Sequence, residues 1–249
     1  MSASTPAASG ARRFETVLFD FSGTLFRIEP VETWLRAVLR ATGTAMTEEH
    51  TLRAARELEE AGALPGGPVP RALPGDLADA WENRDRTPEL HRGLYTGLSR
   101  RVELPDPALH DALYDRHMTP EAWEPYPDAL EVLAALRDRG VAVGVVSNIG
   151  WDLRPVFRAH GLDAYVDTYT LSFEHGAQKP EPDIFRVALD ALGAEPSLTL
   201  MVGDDRRADG GAAALGCGVR FVDPLPPRLR PDALRAVLPA AAPGPGRAR

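Results

Sequence analysis

Val17-Leu18-Phe19-Asp20-Phe21-Ser22-Gly23-Thr24-Leu25 is the stretch on which the fold turns. Three apolar residues run without alternation into an aspartate, and a small residue, a glycine and a threonine follow. An unbroken apolar run suits a parallel strand buried on both faces, and the residues after it suit a tight loop. Asp20 is therefore expected at the carboxyl end of a central strand. In open α/β sheets ligands bind at that edge, because the strand-to-helix loops converge there. A carboxylate so placed can attack a phosphoryl or carbon centre and carry a covalent intermediate.

Downstream, strand and helix patterns alternate. Residues 141–146 read as a second buried strand ending in Ser147-Asn148, and further strands are expected at 166–171, 198–202 and 219–222. The third of these stops at Gly203-Asp204-Asp205. Helices are expected at 127–139, 153–160, 182–192 and 208–215, the first closed by Gly140. Such alternation argues for a parallel sheet joined by helical crossovers.

Between Arg27 and Thr119 helix signals dominate. Trp34, Leu35, Val38 and Leu39 recur at helical spacing, and 52–58 is a charged helical stretch. Thr87-Pro88, Asp106-Pro107 and Thr119-Pro120 each place a capping side chain before a proline, which loses no hydrogen bond at the first helical position. A Gly/Pro-rich break lies at 61–75. The fold class is α/β: a Rossmann-like parallel sheet core carrying an inserted helical-bundle cap. The expected boundaries are a flexible leader at 1–13, the core at 14–27 and 120–224, and the cap at 28–119. A Pro/Ala-rich tail follows at 225–249, largely disordered apart from a short docking helix at 232–238.

The totals narrow the function classes. A chain of 249 residues can bury a sizeable core, and 26% charged with 44% hydrophobic residues is ordinary for a globular protein. The formal charge of −8 argues against general affinity for nucleic acid or an anionic membrane. A single cysteine, Cys217, excludes an intrachain disulfide and a cysteine-built metal site. No apolar run approaches membrane-spanning length, and residues 1–13 lack the hydrophobic centre of a secretory signal, so a cytoplasmic protein is expected. The composition is compatible with a monomer or a homodimer.

The four strand ends together make one plausible site. Asp20 supplies a nucleophile, and Ser147 and Asn148 offer hydroxyl, amide and backbone N–H donors to an anion. Lys179 can neutralise a phosphate oxygen or restrain the carboxylates. Asp204 and Asp209 suit a hard, oxygen-seeking cation such as Mg2+.

These residues carry a resemblance. Asp20 to Leu25 resembles the first motif of the haloacid dehalogenase-like (HAD) hydrolases, Asp-x-Asp-Gly-Thr followed by leucine or valine. Ser147 matches the second motif and Lys179 the third, and Lys-Pro-x-Pro-x-Ile-Phe from Lys179 to Phe185 is typical of subfamily I, which carries a helical C1 cap after the first motif. Residues 202–217 resemble the fourth, with one aspartate after glycine and another five positions on. The resemblance implies a Mg2+-dependent phosphatase acting on a small phosphorylated metabolite through an aspartyl-phosphate on Asp20. It implies that Asp20, the backbone carbonyl of Ser22 and Asp204 hold the metal with Asp209 in support. Ser147 and Lys179 would hold the phosphate, and Thr24 would orient the loop.

One position departs from the pattern. Where the family's phosphatases keep an aspartate that protonates the leaving alkoxide and then activates water, this chain has Ser22. A hydroxyl does not ionise usefully at neutral pH, and a general acid/base contributes roughly 10²- to 10⁴-fold in rate. Three readings follow. In the first, favoured one, the chain is a phosphatase that uses a substitute acid or prefers substrates whose leaving group needs little protonation; His175 and Glu174 are candidates for the acid, although a solvated loop is the plainer account of both. In the second it hydrolyses another bond, as the family's dehalogenases and phosphonate hydrolases do; dehalogenases typically have tyrosine at this position and no Gly-Asp fourth motif. In the third it is a regulatory protein that only binds a phosphorylated ligand. Arg84, Arg86 and Arg92 of the cap could grip an anionic substrate, but a charged, solvated helix face is the plainer reading.

Overall fold

The computed structural model describes residues 13–242, so most of the expected leader and the last seven residues of the tail lie outside it. Strand β1 (Thr16–Phe19) is buried along its whole length. β2 (Phe26–Ile28) follows and leads into the cap helices α1 (Val31–Thr42), α2 (Glu48–Ala61), α3 (Ala78–Asn83), α4 (Pro88–Ser99) and α5 (Leu109–His117). The chain returns through β3 (Trp123–Pro125), then α6 (Ala129–Asp138), β4 (Ala142–Ser147), α7 (Arg154–Ala159), β5 (Thr168–Leu171), α8 (Ser172–His175), α9 (Pro182–Leu192), β6 (Thr199–Gly203) and β7 (Gly218–Phe221). The expected helix at 208–215 is a 3-10 helix over Asp209–Leu215.

Five strands form one parallel sheet in the order β5-β4-β1-β6-β7. After β1 the chain builds outward through β4 and β5 on one side, then returns to place β6 and β7 on the other. The order therefore reverses around β1, and such switch points open a crevice at the carboxyl edge. Register puts Phe19 level with Val145 and with Val202, so Asp20 lies just beyond the sheet beside the loops that follow β4 and β6. The backbone N–H of Asp20 still donates to Val202 O at 2.9 Å, which fixes the start of its loop.

Local chemistry explains the helices. In α1 the buried Val31, Trp34, Leu35, Val38 and Leu39 form one stripe, and Gly43 ends the helix in the left-handed region at φ 67°. Thr87 caps α4 by accepting from Leu90 N at 3.2 Å, with Pro88 in the first turn. Thr119-Pro120 starts only a three-residue 3-10 helix, because β3 follows at once.

Two features depart from the sequence expectation. β2 and β3 pair antiparallel, Phe26 with Pro125 and Ile28 with Trp123, and form a two-stranded neck at the base of the cap. Three-residue strands so far apart leave no periodic signal. The tail, expected to be largely disordered, is packed as far as residue 242. Leu234 and Val237 are buried, Ala241 bridges to Phe14, and Asp128 accepts from Leu234 N at 2.7 Å and Arg235 N at 3.1 Å. The short helix expected at 232–238 is present as a 3-10 helix over Ala233–Val237. Among the described residues no helix is long and apolar enough to cross a membrane.

Candidate active site

The sheet edge gathers the polar strand ends around one ammonium. Lys179 Nζ donates to Asp20 Oδ1 at 2.7 Å and to Asp209 Oδ1 at 2.6 Å, all three side chains being buried. Asp20, Asp204 and Asp209 each offer a carboxylate oxygen within 4.8 Å of the others. Close glycines make this approach possible. A Cβ on Gly23 would stand 2.4 Å from Asp204 Oδ2, and one on Gly203 would stand 2.0 Å from Asp209 Oδ2. Gly23 also sits at φ +80°, a conformation that costs glycine least.

Burial makes the cluster electrostatically unbalanced. Burial is the largest influence on Asp20 and, with Asp209 and Asp204 beside it, pushes its carboxyl up to about 8 against the pull of Lys179. Asp204 is pushed up to about 6, first by burial and then by Asp209. Burial alone would lower the Lys179 ammonium, but Asp20 and Asp209 hold it above its ordinary value, so it stays charged. Three carboxylates against one ammonium leave two negative charges when all are ionised. A hard divalent cation with oxygen ligands fits that donor set and that charge.

Asn148 lines the same cavity as Asp20, with its side-chain amide bonded to the backbone of Lys179. Its Oδ1 accepts from Lys179 N at 2.6 Å and its Nδ2 donates to Lys179 O at 2.9 Å. The amide therefore positions the lysine loop. Ser147, buried at the end of β4, lines the same cavity as Asp20, Ser22 and Lys179. Thr24 is fully buried, and its Oγ1 has no hydrogen-bond partner. Glu174 and His175, the candidate substitute acids, are exposed and absent from the cavity wall; Glu174 pairs with Arg154 at 2.7 Å.

The cap closes this cavity of about 220 Å³. Part of the 61–75 break lies against the core: Ser22 Oγ is 3.5 Å from Gly66 O, and a Cβ on Gly66 would stand 2.8 Å from Ser22 Oγ. The segment read as a solvated charged face is mostly not one. Asp85 and His91 are buried, and both line the cavity with Arg84. Arg92, in contrast, is turned toward Asp111 and Asp115. Sequence reasoning also missed Arg230, whose buried guanidinium donates to Gly23 O at 2.6 Å and to Thr24 O while lying over the Tyr126 ring. The tail thereby braces the loop that follows Asp20. Nothing around Arg230 in the chain signals this role.

Comparison with known proteins agrees with this architecture. A family model described as haloacid dehalogenase-like hydrolase matches residues 14–216. The chain is 28% identical over 212 residues to ribulose-1,5-bisphosphate 5-phosphatase of Halopiger xanaduensis, covering 84% of each. It is 28% identical over 200 residues to (S)-2-haloacid dehalogenase 1 of a Pseudomonas species, covering 80% of each. Matches to several other curated relatives span about half of their length. The crystal structure of a HAD phosphatase from Thermococcus onnurineus superposes with TM-score 0.54 at 25% identity, covering 84% of this chain and 86% of that one. With the match running from β1 through the loop that bears Asp204 and Asp209, the chain belongs to the haloacid dehalogenase-like hydrolases.

Proposed function

We propose that the protein is a magnesium-dependent phosphohydrolase that cleaves small phosphate monoesters through an aspartyl-phosphate on Asp20. The observation that carries this reading is the buried cluster of Asp20, Asp204 and Asp209 around a single ammonium. Displacing halide from carbon sets no anionic nucleophile against an anionic phosphate and has no need of such a cluster. Attack on a phosphate dianion by a carboxylate does need offsetting positive charge.

Asp20, Asp204 and the backbone carbonyl of Ser22 would hold Mg2+ with Asp209 behind them, and the ion would offset the charge between nucleophile and phosphate. Lys179 orients the Asp20 carboxylate and, with the Ser147 hydroxyl, supports the phosphate oxygens. An oxygen of Asp20 forms the bond to phosphorus as the ester bond breaks. Water then attacks the acyl phosphate, releasing phosphate and restoring the carboxylate. The Gly66 loop and the cap would limit the access of bulk water while this occurs.

The test is direct. Purified protein with Mg2+ is expected to release phosphate from p-nitrophenyl phosphate, and to release no halide from 2-chloropropionate in the absence of metal. Halide release without phosphate release would overturn the reading in favour of dehalogenation.

Metal binding is expected to show in stability as well. At a hundred times its Kd a ligand adds about 2.7 kcal/mol, which for a chain of this size raises Tm by about 5–10 °C. The shift with Mg2+ should be larger at pH 8 than at pH 6. Asp20 and Asp204 titrate above their unfolded values, near 8 and 6, so protons compete with the cation as pH falls. The same raised values mean that, in the metal-free protein, these two groups favour the folded state below the unfolded carboxylate range and lose that contribution as pH rises toward 8. Scanning calorimetry with and without Mg2+ at both pH values measures the difference, and equal shifts would count against metal binding by these carboxylates.

A further inference from the structure

Ser22 lines the catalytic cavity but cannot supply a proton at neutral pH, so the leaving oxygen needs another source. The two substitutes considered from sequence, His175 and Glu174, fail on position: the wall includes neither. Asp85 does line it, entering from the cap side between α3 and α4.

The backbone at Asp85 is fastened to the core on both sides. Gln178 Nε2 donates to Glu82 O at 2.5 Å, Ser172 Oγ donates to Asp85 O, and Arg86 pairs with Glu181 while donating to Gly176 O at 2.7 Å. All four partners belong to the segment 172–181 that carries Lys179. Asp85 is thus held in a fixed relation to the catalytic lysine, although it belongs to the inserted cap. Such preorganisation is what a proton donor requires.

The Asp85 carboxyl is buried, and its ion pair with Arg84 is a long one. Arg84 Nε lies 3.4 Å from Oδ2, and that nitrogen makes no hydrogen bond. His91 Nε2 lies 3.8 Å from Oδ1, beyond hydrogen-bond reach, while His91 Nδ1 shares a 2.7 Å bond with Tyr114 Oη. Burial, with His117 and Arg84 nearby, keeps the His91 imidazole neutral, so it does not pin Asp85 as a carboxylate. Burial also raises the Asp85 carboxyl above its ordinary range, against Arg84 and Lys179.

We infer that Asp85 replaces the acid missing at position 22, giving its proton to the leaving oxygen of the substrate. This assignment rests on the phosphohydrolase reading. As the bond from Asp20 to phosphorus forms, the ester P–O bond breaks and its electron pair stays on the leaving oxygen. That oxygen takes the carboxyl proton of Asp85 and departs as an alcohol. In the second half-reaction the Asp85 carboxylate takes a proton from the attacking water, the water oxygen bonds to phosphorus, and the acyl phosphate releases Asp20. Asp85 ends protonated, as it began.

The experiment compares two esters that differ in their need for a proton. p-Nitrophenolate leaves readily without one, whereas the alkoxide from glycerol 2-phosphate does not. Asp85→Asn is expected to lower kcat/KM for glycerol 2-phosphate about 10²- to 10⁴-fold and kcat/KM for p-nitrophenyl phosphate far less, while kcat falls on both esters because the shared second half-reaction also uses Asp85. Adding Ser22→Asp to that variant should restore the alkyl ester. An equal loss of kcat/KM on both esters would assign Asp85 a structural role and overturn the inference, as would no loss on either. Wild-type protein gives a check that needs no variant to fold: rates across a series of aryl and alkyl phosphates should depend only weakly on leaving-group basicity. A steep dependence would mean that no acid acts. Wild-type protein that hydrolyses neither ester would overturn the phosphohydrolase reading itself, an outcome distinct from these.

Discussion

Asp20→Asn is expected to abolish phosphate release while leaving the protein folded. Loss of a nucleophile in an enzyme that proceeds through a covalent intermediate costs about 10⁴- to 10⁶-fold, because the remaining groups have nothing to position. Stability should move the other way, or not at all. Asp20 is buried, and its carboxyl is pushed up to about 8, so its ionised form is strained in the metal-free protein near neutral pH. A neutral amide removes that strain, while Lys179 keeps its 2.6 Å contact with Asp209. The metal-free variant should therefore melt at or above the wild-type temperature at pH 7.5, with a reduced Mg2+ shift. Phosphate release that survives the substitution would show that another group attacks.

Lys179→Met carries the opposite sign. The ammonium is buried and bonded to two carboxylates, and removing one member of a buried ionic cluster typically costs about 3–5 kcal/mol. In a chain of this size that corresponds to a fall in Tm of about 6–20 °C. Activity should be lost with it, because the Asp20 carboxylate is no longer oriented. The deficit should shrink at pH 5, where protonation of the carboxylates relieves their mutual repulsion. It should also shrink with Mg2+, which replaces part of the missing positive charge. A variant that melts with the wild type at pH 8 would show that the lysine does not hold this cluster together. The pair of substitutions is informative because both break the same 2.7 Å contact, yet one relieves uncompensated charge and the other exposes it.

Much of the core could be read in advance because its signals are local. The apolar runs before Asp20, Ser147 and Asp204 each announce a buried strand, and the turn residues after them announce its end. α9 over Pro182–Leu192 matches its expected bounds, with proline at one end and Gly193 in the left-handed region at the other. Boundaries elsewhere moved by a residue or two. Where the reading failed, partners lie far apart. The β2–β3 neck joins segments on either side of the whole cap. The tail looked unstructured by composition, but its few apolar residues find room against α6 and Phe14.

The site divides along the same line. Asp20, Lys179, Asp204 and Asp209 could be named from sequence because each ends or follows a strand of a parallel sheet, and that topology sends every such end to one edge. Ordering along the chain was enough to bring them together. Nothing local distinguishes Asp85 from the charged residues on either side, since its placement depends on Ser172, which is 87 residues away. Arg230 is likewise indistinguishable from other tail arginines until it meets the carbonyl of Gly23, 207 residues earlier. The sequence by itself thus determined the sheet, the order of its loops and the place of Asp20 at the end of the central strand, because these follow from short-range patterns of apolar and turn-forming residues. Only the tertiary structure decided which cap residues line the cavity and which tail residue braces the loop after Asp20. Those roles depend on burial and charge contributed by distant segments, and burial is a property of the packed chain.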